Sequence, residues 1–145
     1  MEKWTPRNWL SEHDFYLDSV NHVIECEKDI LELTFSGVVT ENKYRICFYD
    51  VFSYKVTKEH FLMCQYSEAE FAQVCPQPHE FAYLIQNSSY VEELNRKGMY
   101  DLHSDLPANH YLIQTDLHVI DVILRASSKI IIENLMTGEI RQIVG

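Results

Sequence analysis

Apolar and polar residues exchange places at every second position over much of this chain. Val20, His22, Ile24 and Cys26 share one parity, with Asn21, Val23 and Glu25 on the other. After a charged turn at Glu27-Lys28-Asp29, Leu31, Leu33 and Phe35 alternate with Glu32, Thr34 and Ser36. Tyr44, Ile46 and Phe48 then alternate with Arg45, Cys47 and Tyr49. A period of two places one parity against a core and the other in water, which predicts half-buried strands. Phe52, Tyr54 and Val56 either continue the third strand past a bulge at Asp50-Val51 or begin a new one, and Phe61 to Tyr66 forms a further short apolar run. The first half therefore reads as a meander of four or five strands.

The stretch from His110 to Val144 carries the densest β-branched sequence. Polar interruptions at Thr115-Asp116, at 126–128 and at Thr137-Gly138 divide it into consecutive antiparallel strands. Val119, Ile120, Val122, Ile123 and Leu124 are apolar on both parities, so this strand is expected to be covered on both faces. Asp121 interrupts that run, and a buried carboxylate needs a donor or a cation. With a tight turn at Thr115-Asp116, Gln114 faces Leu117 and His110 faces Asp121, so the two are expected to pair. A structural ion pair or hydrogen bond is the preferred reading, with a catalytic dyad as the alternative.

Helices are few. Ser89-Tyr90-Val91-Glu92 has the form of a capping box, with Ser89 as the cap and Tyr90, Val91 and Leu94 as the buried stripe, and Gly98 stops the helix after Lys97. Ser67-Glu68-Ala69-Glu70 suggests a second short turn, ended by Pro76 and Pro78. Phe81, Tyr83 and Ile85 alternate as one more strand. Near the start, Thr5-Pro6 reads as the opening of a short helix, with Trp4 and Trp9 laid against the sheet. The predicted fold is α+β, a single domain over residues 1–145, mainly an antiparallel sheet meander with one or two short helices packed on it.

At 145 residues and 46% hydrophobic content the chain is long and apolar enough to bury a core unaided. No apolar run is of membrane-spanning length, and Met-Glu-Lys-Trp-Thr-Pro lacks the features of a signal peptide, so a cytoplasmic protein is expected. Cys26, Cys47, Cys64 and Cys75 show no paired spacing and are expected to be free thiols. The net charge of −10 argues against nucleic acid and favours a basic protein partner.

Motifs of chemistry are scarce. With four glycines there is no phosphate loop, dinucleotide fingerprint or nucleophile elbow, and no cofactor is implied. His13-Asp14, His103-Ser104-Asp105 and His118-x-x-Asp121 lack the spacing of a zinc or iron site, so no metal is expected. For His13-Asp14 the simpler reading has Asp14 capping a turn and His13 packing beside Trp9.

The order of certain phrases resembles a known group. His13-Asp14 precedes Leu31-Glu-Leu-Thr-Phe35; a strand then runs into Asn87-Ser-Ser-Tyr-Val-Glu-Glu-Leu94, and His110-Tyr-Leu-Ile leads to Val119-Ile-Asp-Val122. This arrangement resembles small bacterial immunity proteins of polymorphic toxin systems. The resemblance implies a stoichiometric inhibitor of a toxin encoded nearby, and brings no catalytic residues with it. Two functions follow. The first is a protein-binding module, an immunity protein whose partner is a basic toxin domain met by Glu68, Glu70, Tyr90, Glu92 and Glu93. The second is a small-molecule-binding or hydrolytic domain that uses His110 and Asp121, with His118 beside them, in a concavity of the sheet.

Overall fold

The computed structural model describes residues 2–58, 80–96 and 107–144. Among these residues ten strands run in order: β1 (Lys3–Arg7), β2 (Phe15–Glu25), β3 (Lys28–Gly37), β4 (Lys43–Tyr49), β5 (Val51–Lys58), β6 (Ala82–Gln86), β7 (Ala108–Gln114), β8 (His118–Arg125), β9 (Lys129–Asn134) and β10 (Ile140–Val144). Among the described residues one helix, α1 (Ser89–Arg96), lies between β6 and β7. The fold is sheet-dominated α+β, as the alternation predicts. The run Ser67 to Glu70 and the strand expected over 61–66 lie outside the described residues.

The strands form two five-stranded antiparallel sheets, ordered β1-β6-β7-β8-β5 and β10-β9-β4-β3-β2. Their inner faces share one core: Leu31, Leu33, Phe35, Ile46 and Phe48 meet Tyr111, Ile113, Ile120, Val122 and Leu124. Trp9 lies within it, its ring centroid 5.1 Å from Tyr111 and 6.0 Å from Phe48. The second sheet is one-sided. Glu32, Thr34, Arg45 and Glu133 occupy its outward parity, half-buried and cross-linked by an Arg45–Glu133 contact of 3.7 Å. The first sheet is covered on both faces. Trp4, Tyr83, Ile85, Leu112 and Val119 form a separate apolar cluster on its outward face. This is why β8 has no polar parity: Val119 to Leu124 are all buried.

Among the described residues the chain changes sheets three times: between β1 and β2 over residues 8–14, and at two tight corners. Asp50, in the left-handed region at φ 59°, separates β4 from β5, which joins the opposite sheet. The turn after Arg125 carries the chain from β8 back to β9. Sequence reading takes 110–144 as consecutive paired strands, whereas the β8–β9 connection crosses between sheets. A short polar turn has the same composition in either case; the packing of the inner faces selects the crossing. Arg125 ties the two corners together, its Nε 3.0 Å from Asp50 Oδ2 and its backbone N–H bonded to the Asp50 carbonyl at 3.3 Å.

Two local expectations are corrected. Residues 3–7 form an edge strand rather than a helix. Trp4 packs tilted against Tyr83, ring centroids 5.5 Å apart, and Pro6, which lacks an N–H, is tolerated at an edge. The β2–β3 turn is centred on Cys26-Glu27, one residue earlier than the charge pattern suggests, with φ of 50° and 64° at its two central residues. Such a turn matches the twist of the strands it joins.

Candidate functional site: a polar relay beneath the helix

The outward face of the first sheet carries a buried polar pair, His110 and Asp121, beside its apolar cluster. Cross-strand neighbours share a face, so Trp4, Ile85, His110, Ile123 and Ser53 form one row across the sheet. Tyr83, Leu112, Asp121 and Lys55 form the next. His110 and Asp121 are thus diagonal neighbours, and His110 Nε2 lies 2.6 Å from Asp121 Oδ1. The expected register was two residues off: Leu112 faces Asp121 and His110 faces Ile123. The hairpin loop is wider than a two-residue turn because Thr115 Oγ1 donates to the His118 carbonyl and accepts its N–H, closing the loop from inside. A shift of two keeps every side chain on its own face, which is why the pair survives the error.

The relay runs on from His110. Its Nδ1 lies 2.6 Å from Ser88 Oγ, and Ser88 Oγ accepts the Val91 N–H at 3.1 Å. Glu92 N–H donates to the Ser88 carbonyl at 3.1 Å, the first bond of the helix. Ser88 is therefore the N-cap, in place of Ser89. The capping-box rule chose Ser89 because Glu92 stands three residues after it. Instead, the backbone N–H and hydroxyl of Ser89 bond to the Glu2 carboxylate at 2.9 and 2.8 Å. Asn87, left-handed at φ 55°, turns the chain out of β6 so that Ser88 reaches back over His110.

Three more residues surround the relay. Tyr90 packs edge-on against the His110 ring at 5.6 Å, its hydroxyl 2.5 Å from Ser53 Oγ. Lys55, opposite Asp121 on β5, places Nζ 4.5 Å from the centre of the Tyr90 ring. Burial pushes the Tyr90 phenol above its ordinary range; the Ser53 bond opposes this, and the charges of Asp121 and Glu93 add to it. Sequence reading singled out neither Ser53, Lys55 nor Ser88, because the β4-to-β5 crossing and the left-handed Asn87 bring them here. Beside the relay a pocket of about 550 Å³ is lined by Ser88, His110, Val91 and Glu92 among others; Asp121 lies behind it.

The remaining expected site residues are dispersed. Glu92 and Glu93 are exposed on α1, whereas Tyr90 is half-buried and engaged with Ser53, so it is no free anchor. Glu68 and Glu70 lie outside the described residues. His118, three positions before Asp121, has the opposite parity and lies on the other face of β8. His13 Nδ1 contacts Glu80 at 3.2 Å. Asp14 contributes its backbone carbonyl, which accepts the Val38 N–H at 3.1 Å. Among the described residues no three His, Cys, Asp or Glu side chains converge as a metal site requires, and no helix is long and apolar enough to cross a membrane. Cys26 and Cys47 are free thiols; Cys64 and Cys75 lie outside the described residues. Comparison with family models, curated proteins and solved structures yields no match.

Proposed function

We propose that the protein acts by binding another protein, as an immunity-type inhibitor that blocks a basic bacterial toxin domain one to one in the cytoplasm. The observation that carries this reading is the division of labour within α1. Leu94 is buried and Tyr90 is held by Ser53, Lys55 and His110, so the helix is fixed to the sheet. Glu92 and Glu93 are left exposed on that fixed support. A preordered acidic segment on a chain of net charge −10 suits fast, charge-steered capture of a basic surface. The resemblance to immunity proteins points the same way.

Co-expression with a toxin domain encoded by the neighbouring gene tests the reading. Cells carrying both should grow, and cells carrying the toxin with the Glu92→Lys/Glu93→Lys protein should not. Growth arrest with the wild-type protein present would refute it.

A further inference from the structure

We propose that Ser88 is a nucleophile, activated by His110 and Asp121, and that the pocket beside it hydrolyses small neutral esters. This does not rest on the protein-binding reading. It rests on which atoms the hydrogen bonds join and on where they end.

Asp121 accepts a proton bond from His110 Nε2 at 2.6 Å, which keeps the ring proton on that nitrogen. In the neutral imidazole Nδ1 is then a lone pair, and the Ser88 hydroxyl, 2.6 Å away, donates to it. The Val91 N–H occupies another site on the same oxygen. An N-cap needs only an oxygen that accepts from the first turn. A carboxylate-oriented imidazole behind that oxygen is the arrangement that makes a serine hydroxyl nucleophilic. The two ring nitrogens are exchanged relative to the chymotrypsin order, but each can carry either the proton or the lone pair, so the transfer is the same.

Position supports the assignment. Ser88 and His110 line the pocket and Asp121 does not, so the order from opening to interior is hydroxyl, imidazole, carboxylate. His110 and Asp121 are 4% and 7% exposed, shielding the base from water. Leu84, Ile85 and Val91 give the pocket an apolar side, and Asn95 and Asn109 supply amides. Glu92 in the same lining disfavours an anionic substrate. A short, uncharged acyl ester fits this chemistry.

The steps balance. Ser88 Oγ bonds to the ester carbonyl carbon as its proton passes to His110 Nδ1, and Asp121 stabilises the imidazolium. The bond from carbon to the leaving alkoxide oxygen breaks, and that oxygen takes the proton from Nδ1. Water then attacks the acyl-serine with the same base, releasing the acid and restoring the hydroxyl.

The test is labelling of the full chain with an alkyl fluorophosphonate, read by intact mass and peptide mapping. One adduct should form, on Ser88 alone. It should be slowed by p-nitrophenyl acetate and abolished in denaturing urea. His110→Gln and Asp121→Asn should slow it by about 100-fold or more. No adduct on Ser88, labelling that persists in urea, or labelling at the wild-type rate in a folded His110→Gln protein would overturn the proposal. If both variants unfold, the wild-type comparisons with urea and with p-nitrophenyl acetate decide it.

Discussion

Asp121 stands in a stretch of β8 where every residue is buried, and its carboxylate is satisfied by one imidazole at 2.6 Å. Removing one partner of a buried pair strands the other without water. Asp121→Ala should therefore cost about 1–3 kcal/mol in urea denaturation, with Asp121→Asn costing less because an amide oxygen still accepts from Nε2. Equal stability of all three proteins would show that the pair holds nothing. The thiols make a second case. Burial, and then the charge of Glu32, push Cys47 up to about 11, whereas Cys26 is exposed at a turn. At pH 8 a disulfide reagent should modify Cys26 readily and Cys47 slowly. Stability is linked to pH through Cys47. The folded thiol keeps its proton to higher pH than the unfolded one, so its contribution is present below pH 9.0 and is lost as pH rises toward about 11. A melting temperature in Cys47→Ser that falls over that interval as steeply as in wild type would remove Cys47 as a cause.

At the scale of single elements, alternation was informative wherever one strand face meets water. β3 and β4 were legible residue by residue, and β8 announced its two covered faces by having no polar parity. What short-range pattern could not reach was the end of an element. Ser88 and Ser89 are alike as caps in isolation; a left-handed Asn87 and a distant His110 decide between them. Thr5-Pro6 suits a helix start, but Trp4 gains more by packing against Tyr83 as a strand residue. The β2–β3 turn holds Cys26 and Glu27 in the left-handed region, and both are exposed. A side chain in that region costs about 1–2 kcal/mol, part of which glycine returns as greater unfolded-state freedom. Glu27→Gly should thus raise stability by about 0.5–1 kcal/mol in thermal or urea unfolding. A loss of stability would mean that the turn is not left-handed at Glu27.

Across the whole molecule, the sandwich depends on three crossings between sheets, two of them tight corners that no local pattern reveals. The links at Asp50 and after Arg125 look like a bulge and a hairpin turn, and only the inner-face packing of both sheets makes them corners. The same crossing brings Ser53 and Lys55 beside Tyr90, so the setting of the relay was hidden although His110 and Asp121 were not. The charge of −10 was readable at once, but its placement depends on which side of α1 is fixed to the sheet. The central claim is that this exposed acidic side of the helix captures a basic protein. Calorimetric titration of the purified neighbour-encoded toxin domain into this protein, at low and at high salt, tests it most directly. The account predicts one-to-one binding that weakens with salt and falls by about tenfold or more in Glu92→Lys/Glu93→Lys, a loss of at least about 1.4 kcal/mol. Binding that is absent, or that keeps its strength in the charge-reversed protein, would contradict it.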